Sequence, residues 1–383
     1  MRIAIFTDTY LPQINGVVFS TSTFAKEFEA LGHEVLIIAP KIDPISDETD
    51  NVWRFKSMPF PFQTEHRITS PLSRKLRDFG RQKIDIIHIQ TPFFMGHLGQ
   101  YLGWRHKIPI VHTYHTFWAE YLHYFPLLPK RWRRQVDLLL LSKNFCNRCQ
   151  HIVVPSIQIQ DTLENYGVTK PISVIPTGIQ INRQIDPEKV AQFRHFWDLQ
   201  PENKVCIFVG RLGKEKNVYF LLEAFAQIYR QDPQTRLVLV GDGPERAEMQ
   251  DYTNKEGLSK AVIFCGYLGH EDVFVAYTAA DLILFPSKTE TQGLSLLEGM
   301  SIGKPAVCLN ALGVKQLLEN EAGGFLTEEN LADYVGASMR LLQDPALYAQ
   351  KAIEAKTRAS HFSSTQMAGK LLDVYKNLLD QQS

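Results

Sequence analysis

The sequence predicts an α/β protein of two doubly wound domains, each a parallel sheet covered by helices on both faces. Three observations lead there. Apolar β-branched runs recur along the chain, amphipathic segments of helical period fall between them, and the same style repeats in the second half. In the first half, "RIAIF", "EVLIIAP", "IDIIHIQ", "IPIVHT", "HIVVPS" and "ISVIP" are apolar on both sides of the pleat, as strands buried on both faces must be. In the second half, "KVCIFVG", "RLVLVG", "VIFCGYL", "ADLILFP" and "KPAVCL" do the same. "STFAKEFEALG" and "YFLLEAFAQIYRQ" illustrate the helices between them, and a strand, helix, strand succession implies right-handed crossovers. The irregular stretch "TGIQINRQIDPEKV" marks the boundary between two Rossmann-like domains, 1–180 and 181–365.

Composition narrows the class of function. The 383 residues suffice for two cores, and 44% hydrophobic with 21% charged residues describe a globular chain. "MRIAIFTDTY" turns polar too soon for a signal peptide, and the richest apolar run, "VDLLLLS", falls far short of a membrane span. Five cysteines include one C-x-x-C, Cys146 and Cys149, without a second ligand pair at zinc-site spacing. Reduced thiols in a cytoplasmic protein are expected. Net charge is zero, yet residues 51–150 hold sixteen Lys and Arg against five Asp and Glu, a net of +11. The remainder carries 25 against 36, a net of −11. So uneven a division suggests a face that meets something anionic.

Four loops at strand ends offer glycine or basic residues. "YLPQINGVVFS" carries Gly16 ahead of a helix, and "VGRLGKEKN" carries Gly210, Arg211 and Lys216. "VGDGPER" supplies Gly241 and Gly243, and "TETQGLSLLEGM" opens a helix at Gly293 and Leu294. The free N–H groups and positive dipole end of a helix start suit phosphate. Four such loops with two cations point to a diphosphate. Glu290 and Glu298 stand eight positions apart across that helix start. The first lies where it can reach a sugar on the far phosphate. The second lies about one turn inside the helix, where a carboxylate can accept hydrogen bonds from a ribose diol. A nucleotide-sugar site accounts for both. A dinucleotide-dependent oxidoreductase is disfavoured, because no G-x-G-x-x-G follows the first strand.

These residues resemble the family four retaining glycosyltransferases of GT-B fold, in which two Rossmann-like domains face a central cleft. The E-x7-E motif corresponds to Glu290 through Glu298, followed by "GKPAV"; "GRLGKEK", "LVLVGDGP" and "YLPQINGVV…LGHEVLIIAP" also match, with Asn15-Gly16 in place of the common double glycine. The resemblance implies that Arg211 and Lys216 neutralise the leaving diphosphate. It also implies that Glu298 holds the ribose, and that Glu290 with the Gly293 and Leu294 backbone holds the sugar and distal phosphate. "HTYHTF" carries the matching histidine, His115, beside the sugar; His112 within the strand run is read as core. Retention of configuration, front-face attack assisted by a phosphate oxygen, and a C-terminal segment, 366–383, crossing back to the first domain follow from the resemblance alone. No Asp-x-Asp occurs, so no metal is expected, and no cofactor beyond a nucleotide-sugar co-substrate, UDP-glucose in the first place.

For the acceptor, aromatics and cations are interleaved in two clusters. Trp53, Phe55, Phe60 and Phe62 precede Arg67, Arg74, Lys75, Arg77, Arg81 and Lys83; Lys130, Arg131, Arg133 and Arg134 surround Trp132. Apolar body with basic rim is how a segment lies on an anionic membrane. "VHTYHTFWAEYLHYFP", "TETQGL" and "IQTPFFMGHLG" resemble the diacylglycerol glucosyltransferases within the family, which implies a lipid acceptor at the cytoplasmic face of a membrane. The rivals are a transferase acting on a soluble or cell-envelope saccharide and a silent nucleotide-sugar binder, although the latter would not need Glu290, Glu298, Arg211 and Lys216 all retained. No nucleic-acid module is present and no feature specifies an oligomer.

Overall fold

The structure is a computed structural model that describes residues 1–13, 15–42, 51–60, 63–70, 73–115, 142–181 and 183–381. The cluster Lys130, Arg131, Trp132, Arg133 and Arg134 lies outside the described residues, as does Phe62. The chain divides into two compact units. Unit 1 is Met1–Gly178 with Ser364–Ser383, and unit 2 is Ile179–Ser363.

Unit 1 begins with β1 (Arg2–Phe6), α1 (Gly16–Ala30), β2 (Glu34–Pro40) and β3 (Val52–Phe55). An antiparallel hairpin of β4 (Ser57–Phe60) and β5 (Gln63–Thr69) follows, then β6 (Ile86–Ile89), α2 (Phe94–His106), β7 (Ile110–Thr113), β8 (His151–Val154), α3 (Ile157–Asn165) and β9 (Ile172–Val174). Seven strands form one parallel sheet in the order β3-β2-β1-β6-β7-β8-β9. Successive residues of β1 feed opposite cores. Ala4 and Phe6 pack with Met95, Leu102 and Phe145 on the α2 side, while Ile3 and Ile5 pack with Phe24, Phe28 and Tyr375 on the other. That two-sided burial is why the strands read as continuous apolar runs.

Unit 2 repeats the plan with α4 (Pro187–Phe196), β10 (Val205–Val209), α5 (Val218–Gln231), β11 (Arg236–Val240), α6 (Arg246–Lys255), β12 (Val262–Gly266), α7 (His270–Ala279), β13 (Leu282–Phe285), α8 (Leu294–Ser301), β14 (Ala306–Leu309), α9 (Leu312–Leu317), β15 (Gly324–Thr327), α10 (Leu331–Gln343) and α11 (Pro345–Ser360). Its six parallel strands run β12-β11-β10-β13-β14-β15. The closing helix α12 (Ser364–Asp380) belongs to unit 1, where Ser364 Oγ donates to Glu27 Oε1 at 2.5 Å and the Tyr375 ring meets Phe28.

Two features of unit 1 depart from the sequence reading. In the stretch read as an aromatic and basic cluster, Val52–Phe55 is an edge strand and Ser57–Phe60 pairs with Gln63–Thr69. Phe55, expected at a membrane surface, is only 1% exposed because β3 turns it into the core beside Phe79, and Trp53 is half-buried against the same cluster. Phe55 is thus withdrawn from the surface the expectation required, and Trp53 is only partly presented there.

Both sheets reverse their winding at one place, between β1 and β6 in unit 1 and between β10 and β13 in unit 2. In doubly wound sheets a ligand crevice opens outside the carboxyl ends of the strands at that switch point. Each unit therefore has its own predetermined place for chemistry.

Candidate active site

In unit 2 the switch point gathers the loops after β10 and β13. Lys216 leaves the first and Glu290 the second, and Nζ of Lys216 lies 2.5 Å from Oε1 of Glu290, both side chains being largely buried. Thr289 Oγ1 donates to the Glu215 carbonyl at 3.2 Å, a second tie between the same loops, and the Glu290 carbonyl accepts the Gly313 amide at 3.0 Å. Arg211 is half-buried, one residue past Gly210 at the end of β10. The helix α8 starts after Gly293, whose φ of +86° is a left-handed conformation that favours glycine. Its first amide groups have no intrahelical acceptor, which makes the start of α8, at Leu294, an anion-seeking end.

Glu298 lies one turn further on. It is 8% exposed, and its Oε1 sits 3.2 Å from Nε2 of His270, the first residue of α7. His270 was not singled out from the sequence; a histidine opening a helix directly after "GYLG" at a strand end was the available signal. Tyr277 on α7 donates its hydroxyl to the Ser295 carbonyl, anchoring the first turn of α8.

The remaining glycines have a different reason from the one expected. A Cβ on Gly241 would lie 2.0 Å from the Gly210 carbonyl oxygen, and one on Gly243 would lie 2.3 Å from that of Leu212. The amide of Gly241 is taken by the Gly266 carbonyl and that of Gly243 by Asp242 Oδ1, so neither is positioned as a phosphate donor. These glycines let the β10 and β11 loops pack backbone to backbone. Asp242, held below the usual carboxylate range by the Gly243 amide and then by Arg246 at 2.8 Å, completes the corner.

In unit 1 the switch point is a buried polar network. Asp8, just past β1, is fully buried; its Oδ2 accepts from Thr91 Oγ1 at 2.7 Å and its Oδ1 from the Met95 amide at 2.9 Å in the first turn of α2. Burial raises its pKa to about 6 against those hydrogen bonds. His115, half-buried two residues past β7, brings Nε2 to 2.5 Å from Gln90 Oε1. A carbonyl oxygen can only accept, so His115 Nε2 carries the proton. Burial, and secondarily His112, lowers the pKa of His115 to about 3, so it is a neutral imidazole near pH 7. Behind it, Gln90 Nε2 lies 3.3 Å from His88 Nε2, His88 Nδ1 lies 2.6 Å from the Tyr375 hydroxyl, and His88 Nε2 lies 2.7 Å from Thr113 Oγ1. His112 is core, as read: 1% exposed, Nδ1 on the Ile89 carbonyl at 2.9 Å, ring edge-on to Phe145.

At the start of α1, Gly16 follows Asn15, whose Oδ1 accepts from the amides of Val17 and Val18 at 3.1 and 3.0 Å. The residue that replaces the family's other glycine thus caps the helix itself. Among the described residues no group of three His, Cys, Asp or Glu side chains could hold a metal, and no helix is long and apolar enough to cross a membrane. Cys146 and Cys149 are buried and form no disulfide, with burial pushing the Cys149 pKa up to about 12.

Two doubly wound parallel-sheet units of this kind make up the GT-B fold. The Anabaena protein HepE, solved in complex with UDP and glucose, superposes with a TM-score of 0.78 over 98% of this chain and 100% of its own, at 21% identity. The chain belongs to the family four glycosyltransferases. The model described as Glycosyltransferase Family 4 matches residues 14–183 and that of Glycosyl transferases group 1 matches residues 190–358. An alpha-monoglucosyldiacylglycerol synthase of Streptococcus pneumoniae is 31% identical over 85% of this chain and 75% of its own length. One of Acholeplasma laidlawii is 28% identical over 100% and 98%.

Proposed function

We propose that this glycosyltransferase moves glucose from UDP-glucose, with retention, to diacylglycerol at a membrane surface. The observation that carries the donor half is the grouping of Lys216, Glu290 and Glu298 around the start of α8 at the switch point of unit 2. In this reading the diphosphate lies on the α8 N-terminus, with Lys216 and Arg211 as the cations facing the charge that develops as the leaving group departs. Glu290 does two things: it holds Lys216 in place and presents its second oxygen to the sugar hydroxyls. Glu298, fixed by His270, accepts from the ribose. His115, neutral and donating from Nε2 to Gln90, can only accept at Nδ1, from a sugar hydroxyl, and adds no charge. Two cations and a helix end supply the role a divalent ion would otherwise fill.

The names of the two synthases favour glucose and diacylglycerol, and the UDP and glucose bound to HepE favour the uridine nucleotide. The net charge of +11 over residues 51–150 favours an acceptor at an anionic surface, peripherally bound on the cytoplasmic side. The test is incubation with UDP-glucose, UDP-galactose and GDP-mannose in turn, with diacylglycerol vesicles or soluble saccharides. Mass and anomeric proton couplings identify the product. An α-glucosyl diacylglycerol supports the proposal, whereas preference for a soluble saccharide rejects the acceptor and leaves the family intact.

A further inference from the structure

The outer face of α2 is unusual for a helix on a parallel sheet. Glycines on its inner face bring it close to the sheet: a Cβ at Gly96 would lie 2.0 Å from the Thr91 carbonyl oxygen, and one at Gly103 would lie 2.5 Å from Ile110 Cγ1. Met95, Leu98 and Leu102 fill the rest of that face in the cluster that holds Phe6 and Phe145. The exposed aromatics of the helix are on the outside. Phe94, Tyr101 and Trp104 are 46%, 57% and 76% exposed, and their spacing of seven and three residues keeps them on one face over about 15 Å of helix. Beside Tyr101 and Trp104 opens a pocket of about 590 Å³, floored by Gly103, Ile108 and Ile110 and edged by Lys107 and Arg148. From Ile86 to Ala119 the chain has no carboxylate.

We infer that this face docks on an anionic phospholipid bilayer, with Tyr101 and Trp104 at the headgroup level and a lipid phosphate seated in the pocket between Lys107 and Arg148. Amphipathic rings suit the membrane interface, and exposed apolar area of this kind marks an interaction surface. The charge complementarity selects the occupant: two cations and no acid favour a negative surface. The inference deepens the lipid-acceptor reading and rests on it for its purpose, since diacylglycerol hardly leaves the bilayer and the enzyme must come to it.

The test is flotation of the full-length protein with vesicles of phosphatidylglycerol and phosphatidylcholine, or of phosphatidylcholine alone, at low salt. Wild type floats with the anionic vesicles only. K107A/R148A removes two basic contacts, which lowers partitioning about thirty-fold. W104A lowers it as well, and W104F restores most of it. If K107A/R148A and W104A float as wild type does, docking is elsewhere and the inference is overturned. Failure of wild type to float overturns it too. Hydrolysis of UDP-glucose without lipid is measured in parallel and is expected unchanged in all three variants. Its absence from wild type would reject the donor assignment whatever the flotation result.

Discussion

Replacing Gln90 tests whether the unit 1 network serves chemistry or only folding. Gln90 is 1% exposed and its Oε1 takes the His115 Nε2 proton at 2.5 Å, so Gln90→Leu leaves that donor without its partner in a half-buried site. An unsatisfied buried donor costs about 1–3 kcal/mol. If that cost appears in the transition state through a displaced imidazole, kcat falls roughly five- to a hundred-and-fifty-fold while KM for the donor holds. Gln90→Glu adds a pH signature. The wild-type His115 pKa is lowered to about 3, so the ring stays neutral through pH 5–8 and wild-type kcat shows no acidic limb from it. A carboxylate in place of the amide favours the imidazolium and raises that pKa, so the variant gains an acidic limb at higher pH than wild type. The assay is kcat and KM for UDP-glucose between pH 5 and 8, with thermal melts to confirm folding. A folded Gln90→Leu with wild-type kcat, or a Gln90→Glu profile that superposes on that of wild type, would refute the reasoning.

Three further outcomes are expected. Lys216→Ala and Arg211→Ala each lower kcat by at least about a hundredfold in a protein that still folds, since each removes a cation facing the leaving diphosphate; near-wild-type turnover in both would misplace the leaving-group site. Chelation with EDTA leaves turnover largely intact, and complete loss restored by Mg²⁺ or Mn²⁺ would require a metal in the reaction. Gly299→Ala puts a Cβ 2.4 Å from Ile283 Cδ1 and 2.8 Å from the Tyr277 ring, an overpacking that costs about 1–3 kcal/mol and lowers the melting temperature by several degrees. Because Tyr277 also anchors the first turn of α8, the same variant is expected to weaken UDP binding by calorimetry; a stable variant with full affinity would show that α8 tolerates displacement.

Much of unit 2 was legible because its signals are local. The strands "KVCIFVG" and "ADLILFP" carry their own two-sided apolar pattern, and the E-x7-E spacing spans a single loop and one turn of helix, so strand ends and helix start could be placed without the fold. Gly241 and Gly243 show the limit of that logic: the sequence marks a tight place, and only the packed loops reveal that the neighbour is the Gly210 and Leu212 backbone rather than a ligand. Charge and aromatic content misled at Phe55, because four residues of edge strand are too short to declare which side faces inward, and the answer came from pairing with β2.

What the sequence by itself determined was the alternation of buried strands and amphipathic helices, the two cations and two glutamates of the donor loops, and the skew of positive charge toward residues 51–150. The tertiary structure alone decided which of these meet. Lys216 and Glu290 are 74 residues apart, yet they pair because β10 and β13 are neighbours where the sheet reverses its winding. His88 and Tyr375 are 287 residues apart and meet because α12 returns to the face of β6. The aromatics of α2 point outward because glycine lets its inner face sit on the sheet, a matter of close approach that no periodicity records.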